Sequence, residues 1–231
     1  MKTTVKISKL FTLENTIAAD LFEGKTYPWE VLAEIGDFIL KLGPTLPADE
    51  YDCPKEINGV PVENVWVAKD ATIYPTAYIK GPAIIDHNAE LRQAAFIRGN
   101  AIVGKGTVVG NSCELKNVVL FDKVETPHYN YVGDSVLGFH AHMGAGSITS
   151  NVKSDRQLVV IKDGDAEYRT ERKKVGAMLG DYVEVGCNSV LNPGTVIGPH
   201  TNVYPTSSVR GVIPPNSIYK DKGLIVEKWE K

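Results

Sequence analysis

One periodicity limits what this chain can become. Stepping by six from Val67 gives Val67, Ile73, Ile79, Ile85, Leu91, Ile97, Val103, Val109, Leu115 and Phe121, all large and apolar. A second run passes through Leu179, Val185, Leu191, Ile197, Val203 and Val209. In a chain that is 43% hydrophobic, sixteen such hits have a chance of roughly one in a million. Four places after the first six come Ala71, Ala77, Ala83, Ala89, Ala95 and Ala101, then Thr107, Cys113 and Val119. Three hexads, each a short strand, close one coil of about eighteen residues, with the aliphatic residue filling the interior and a small one tucked near a corner. Coils then stack as parallel sheets about 4.8 Å apart. Gly104, Gly110, Gly180, Gly186 and Gly198, each after an aliphatic position, suit turns with unusual backbone angles. A β-sandwich would show alternation with hairpin signals, which the repeat lacks.

The repeat breaks twice. DKVETPHYNY, between Phe121 and Val132, loses register, and residues 149–178 leave it altogether. The second interruption predicts a hairpin, with LVVIK and AEYRT flanking Asp163-Gly164. Upstream, Glu14–Phe22 is a short helical pattern. Pro28–Leu42 is a stronger one, with Pro28 in the first turn and Gly43-Pro44 as the stop. The expected organisation is a helical segment at 1–45, a linker at 46–66, the solenoid at 67–215 and a tail at 216–231. The helices are expected to cover an open end of the solenoid, whose edge would otherwise pair with other chains.

Composition narrows the function classes. A formal charge of −3 without a basic tail argues against nucleic-acid and membrane-surface partners. No apolar run approaches a membrane span, and the N-terminus lacks the apolar core of a signal peptide. Three separated cysteines, Cys53, Cys113 and Cys187, predict a reduced, cytoplasmic protein. His128, His140 and His142 gather near the first break. Gly144-Ala145-Gly146 could bring backbone N–H groups close to a ligand. Arg98 and Lys116, one coil apart, stack as a phosphate site. His140 and His142, two apart on a strand, would share a face, but no third ligand is evident and no metal is expected.

The stretch GNSCELKNVVLFDKVETPHYNYVGDSVLGFHAHMGAGSITSN (110–151) resembles the acetyltransferase half of bifunctional sugar-1-phosphate nucleotidylyltransferase/acetyltransferases, of the glucosamine-1-phosphate acetyltransferase/N-acetylglucosamine-1-phosphate uridyltransferase type. TERKKVGAMLGDYVEVGCNSVLNPGTVIGPH (170–200) and YPWEVLAEIGDFIL (27–40) are similar to the archaeal branch of that family. The resemblance implies a single-stranded left-handed parallel β-helix, an exception to the usual right-handed crossover, assembled as a homotrimer with sites between subunits. It implies acetyl-CoA as co-substrate and an amino-sugar phosphate or sugar nucleotide as acceptor. Residue by residue it makes His128 the general base, with Tyr131 and Asn151 beside it in the active site. Arg98, Lys116 and His142 fall at substrate positions, and Ala145, Cys187, Arg210 and Lys220 fall along the coenzyme groove. Two features depart from the family: His142 stands where asparagine is usual, and Gln157 and Val160 replace expected lysines. No GxGTR-type nucleotide loop occurs in the chain, so nucleotidyl transfer is not expected of it alone. The rival expectations are a non-catalytic solenoid binding a sugar phosphate or nucleotide, and a zinc lyase of the carbonic-anhydrase kind.

Overall fold

A computed structural model describes residues 5–220 and 223–228. The first four residues of the N-terminal segment, and residues 221, 222 and 229–231 of the expected tail, lie outside the described residues. The chain forms a β-solenoid of about nine turns. Its strands pair in parallel from coil to coil. Three faces recur. The first holds Val65–Ala68, Ala83–Ile85, Ala101–Val103, Ala177–Leu179, Thr195–Ile197 and Val212–Ile213. The second holds Glu90–Leu91, Val108–Asn111, Glu125–His128, His142–Met143, Glu184–Val185, Asn202–Val203 and Ser217–Tyr219. The third holds Tyr78–Ile79, Phe96–Ile97, Ile148–Thr149, Val190–Leu191 and Ser208–Val209. Two longer strands, Glu114–Leu120 and Tyr131–Leu137, turn the corner from the third face into the first face of the next coil.

The interior follows the repeat. Ile85, Leu91, Ile97, Val103, Val109 and Leu115 are wholly buried, as are Ala83, Ala95, Ala101 and Cys113 between them. The six-residue step, however, runs one residue past the structural one at Phe121. Val103 lies opposite Leu120, which lies opposite Leu137, so two consecutive coils are seventeen residues long. Leu120 therefore takes the ladder position. The Phe121 ring instead meets Phe11 (5.1 Å) and Phe22 (5.6 Å) of the N-terminal segment. Val119 likewise leaves the small interior position and aligns with Ile102 and Val136.

The glycines after the aliphatic positions serve a purpose other than the expected one. None of Gly104, Gly110, Gly180, Gly186 and Gly198 has positive φ. What they lack is room: a Cβ on Gly104 would stand 2.6 Å from the Phe121 carbonyl carbon, and one on Gly110 would strike the Pro127 carbonyl. Left-handed corners fall elsewhere, most often on asparagine such as Asn88, Asn100 and Asn117, with Asp134 among them, whose short polar side chains tolerate that conformation.

The expected long helix is split. Pro28–Ala33 is a 3₁₀ turn, and α-helix Ile35–Leu42 (α2, after the short α1 at Ile7–Leu10) follows a break at Glu34. The Glu30 carboxylate accepts the N–H groups of Thr26 and Tyr27 at 2.7 and 2.8 Å, capping the start. This segment does not cover an end of the solenoid. It lies along the first face, with α2 against three successive coils and the 3₁₀ turn against Tyr131–Leu137. The cause is a second apolar row, facing outward: Trp66, Ile84, Ile102, Val119, Val136, Met178 and Val196, all buried. Leaving that row in water would forfeit about 25 cal/mol per Å² of apolar surface. The ends are closed instead by antiparallel strands, Tyr51–Asp52 on Val67–Ala68 and Ile225–Glu227 on Ser217–Tyr219. No helix among the described residues is long and apolar enough to cross a membrane.

The long insertion contains an antiparallel hairpin, Val160–Asp163 with Ala166–Arg169, turning at Gly164-Asp165, one residue later than the expected turn. Val159 and Ile161 are buried beside Gly194, and Tyr168 meets the stacked Tyr27 and Trp29 rings edge-on. The hairpin is thus held against the solenoid and the N-terminal segment together.

Candidate active site

The outward rows of both the second and the third faces are left partly or fully exposed, and the expected substrate residues Arg98 and Lys116 stand on the third. At its corner with the first face, a ladder of polar side chains runs along the axis. Asn100 donates to Asn117 (3.3 Å), Asn117 to Asp134 (3.0 Å), and Asn151 to the other Asp134 oxygen (2.6 Å). Lys116 Nζ lies 3.2 Å from that same oxygen. Asn100, Asn117, Asp134 and Asn151 recur every seventeen residues, the length of the two shortened coils. Each coil thereby presents its corner residue to the next. This spacing was visible in the sequence, yet a search tuned to apolar hexads passes over it. Asp134 is 2% exposed, and a buried carboxylate of this kind needs its charge and lone pairs matched. Three neighbours supply that match.

Tyr131 joins the ladder from the middle of the face. Its hydroxyl accepts from Asn151 Nδ2 at 3.2 Å and lies over Gly133, where an added Cβ would collide with the phenol oxygen. Burial, then the nearby Asp134 charge, hold the phenol pKa above its ordinary value, so it stays protonated. Gly133 follows Arg98 and Lys116 in one column, and the missing side chain leaves the space that Tyr131 occupies.

Arg98 and Lys116 stand on successive coils, but neither cation is unpaired. Arg98 Nη1 binds Glu114 at 2.6 Å, and Lys116 binds Asp134. Arg210 lies further along the same column, bound to Asn192 Oδ1 at 3.0 Å. It is therefore across the face from the other residues expected to hold the coenzyme.

His128 ends its strand at the opposite corner, between the second and third faces, and is exposed. Its N–H donates to Asn130 Oδ1 (3.1 Å), and its carbonyl accepts from Gly146 (3.0 Å), placing Ala145 in the adjoining coil. Cys187 follows one coil further on, exposed, its carbonyl accepting from Thr206. Lys220 lies beyond, its ammonium 5.9 Å from the Tyr204 ring centre. Of the Gly144-Ala145-Gly146 stretch, the Gly144 N–H is donated to Val185 and the Gly146 N–H to His128. The Ala145 N–H alone has no acceptor among the described residues.

His140 and His142 do not share a face. His140 sits at a corner with φ 56° and stacks on Tyr182, while His142 lies on a strand with Nδ1 2.8 Å from Glu184. The left-handed corner at His140 itself turns the two rings apart, so a spacing of two does not bring them onto one face. Among the described residues no three His, Cys, Asp or Glu side chains gather as a metal site would require.

A coil of short parallel strands set by a six-residue repeat, with histidine and a backbone donor at one corner of the third face and an asparagine–aspartate ladder with a lysine at the other, defines the chain as a hexapeptide-repeat β-solenoid. The chain belongs to the GMPPB C-terminal domain family, whose model matches residues 79–213. It is 30% identical over 203 residues to a bifunctional protein GlmU of Methanococcus maripaludis, covering 87% of this chain and 48% of that one. It is also 30% identical over 160 residues to a bifunctional sugar-1-phosphate nucleotidylyltransferase/acetyltransferase of Sulfurisphaera tokodaii, covering 62% and 40% of the two chains. The chain spans about half the length of the first of these relatives. Among solved structures, a hexapeptide transferase family protein from Anaplasma phagocytophilum aligns with a TM-score of 0.41 at 16% identity, over 74% of this chain and 83% of that one.

Proposed function

We propose that the chain is an acetyl-CoA-dependent N-acetyltransferase acting on an amino-sugar phosphate or a sugar nucleotide. The observation that carries this reading is the third face itself, where the Tyr131–Asn151–Asp134–Lys116 cluster and the His128–Ala145 corner flank one open surface. His128 takes a proton from the acceptor amine as its nitrogen attacks the thioester carbonyl, a role suited to an imidazole that can accept a proton and return it. The Ala145 N–H donates to the oxyanion of the tetrahedral intermediate. Collapse breaks the carbon–sulfur bond, and the proton held by His128 passes to the departing thiolate. Tyr131, Asn151, Arg98 and Lys116 orient the acceptor, with His142 at its edge. Ala145, Cys187 and Lys220 line the path of the coenzyme, which runs along the solenoid axis, while Arg210 reaches it from the far column.

The reading includes assembly as a homotrimer in the cytoplasm, with the open face of one chain completed by a neighbour. One observation favours a second reading, a non-catalytic solenoid that binds the same ligands: the His128 imidazole has no hydrogen-bond partner among the described residues. Thiol release from acetyl-CoA against a panel of amino-sugar phosphates and amino-sugar nucleotides separates the two. Turnover that disappears in His128→Ala supports catalysis, whereas ligand binding without thiol release from any acceptor supports the binder.

A further inference from the structure

A cleft of about 400 Å³ lies at the start of the third face, two coils before Lys116. Its lining includes Pro61, Glu63, Asn64, Tyr78, Lys80 and Pro82. The volume falls within the range of small-molecule sites, about 300–1,000 Å³. Its walls are held by close contacts. Asn58 Nδ2 donates to the Tyr74 and Ala77 carbonyls, each at 3.0 Å, and so fixes the short hairpin of Glu56–Ile57 with Val60–Pro61. The Ala83 N–H donates to the Asn64 carbonyl at 3.0 Å, and a Cβ added at Gly81 would strike the Glu63 carbonyl.

Two of its features are not needed to pack the coil. Tyr78 is 46% exposed and meets the Phe96 ring edge-on at 5.4 Å, which leaves an aromatic surface on the outside of the solenoid. Lys80 extends the column of Lys116 and Arg98 by one more coil, at the same spacing of eighteen residues. Arg98 and Lys116 are paired with carboxylates. The exposed Lys80 side chain forms no ion pair or hydrogen bond among the described residues, and neither does that of exposed Glu63.

Position along the axis says what could reach this cleft. The residues assigned above to the coenzyme, Ala145, Cys187 and Lys220, stand on later coils than Lys116. Groups attached to the acceptor sugar on the side away from the thioester therefore run toward the earlier coils, past Arg98 to Lys80 and Tyr78. Coils about 4.8 Å apart suit a chain of two phosphates followed by a nucleoside. We propose that the cleft is a nucleoside diphosphate subsite. The base lies on the Tyr78 ring, the phosphate farther from the sugar meets the Lys80 ammonium, and Glu63 and Asn64 accept from base or ribose donors. The inference rests on the acetyltransferase reading for its direction along the axis and narrows that reading: the acceptor is an amino-sugar nucleotide.

The test is calorimetric titration of the full chain with UDP, GDP, glucosamine-1-phosphate and coenzyme A. It compares the parent chain with Tyr78→Ala and Lys80→Ala, both at exposed side chains. The expected result is that the parent binds at least one of UDP and GDP, and that each variant binds it about ten-fold more weakly. Binding of glucosamine-1-phosphate and coenzyme A, and the melting temperature, should stay as in the parent. Equal nucleotide affinity in parent and variants overturns the proposal, as does absence of UDP and GDP binding at millimolar concentration. Coenzyme A binding weakened in the variants assigns the cleft to the coenzyme's own nucleotide and also overturns it. Failure of the acetyltransferase reading shows in a different assay. Thiol release with glucosamine-1-phosphate but no nucleotide binding keeps that reading and removes this one. Nucleotide binding that the variants weaken, without thiol release from any acceptor, supports the subsite and removes the acetyltransferase.

Discussion

The first and third faces of the solenoid share an interior and differ in what they show to the outside. On the first face the outward row is Trp66, Ile84, Ile102, Val119, Val136, Met178 and Val196, buried beneath the N-terminal segment and the insertion hairpin. On the third face the matching row is Tyr78, Phe96, Glu114, Tyr131, Ile148, Val190 and Ser208, partly or fully exposed. Inward positions are fixed by the need to fill a narrow prism. Outward positions are free, and here one row has become a docking surface for the chain's own helices while the other stays open and is the surface proposed for ligands.

The comparison breaks most visibly if its two rows prove energetically alike. Ile102→Ala removes a wholly buried side chain and should cost about 2–4 kcal/mol by denaturant titration. Phe96→Ala on the open row should cost less than about 1.5 kcal/mol. Similar losses at both sites would show that the first face is not covered in solution. Next in size, Gly133→Ala sets a methyl against the Tyr131 hydroxyl, and overpacking of this kind costs about 1–3 kcal/mol. A smaller expected cost follows in Asn117→Ala, which removes a donor to buried Asp134 and also the contact with the Leu32 carbonyl at 3.0 Å. A loss of about 1–2 kcal/mol in melting experiments would show that the corner ladder also fastens the cover.

The smallest effect concerns the capped end. His87 lies between Asp70 (3.0 Å) and Glu50 (3.1 Å). Burial works to lower its pKa, but the hydrogen bonds it donates to these two carboxylates, with their charge, outweigh burial and raise it. A raised histidine pKa contributes stability fully below the unfolded value of about 6.5. That contribution is lost as pH rises through the higher folded value. His87→Gln should therefore lower the melting temperature more at about pH 6 than at about pH 9, and a pH-independent difference would remove the bridge from the account.

Much of this architecture could be read before the structure was known, and the parts that could not have physical reasons. The hexads of Val67 to Leu115 repeat because interior volume repeats. They mislead at Phe121, where a coil shortens by one residue and the next apolar residue turns outward to Phe11 and Phe22. The outward row at Trp66, Ile84 and Ile102 was also present, at a spacing of eighteen, and it indicates a cover along the side, not over an end. Asp134 does not stand out in the sequence although its seventeen-residue series is regular, because a corner aspartate looks like an ordinary turn residue until its neighbours are stacked on it. The pairing of Arg98 with Glu114 could not be foreseen from spacing, since both side chains choose their partner only after coils are in register.

The contrast between the faces is tested most directly by hydrogen exchange of the full chain with and without coenzyme A and glucosamine-1-phosphate together. Slower exchange is predicted in residues 128–134 and 145–151, with residues 35–42 of the covered face unchanged. Protection confined to residues 35–42, or none on the third face at ligand saturation, would contradict the assignment of the open face as the site.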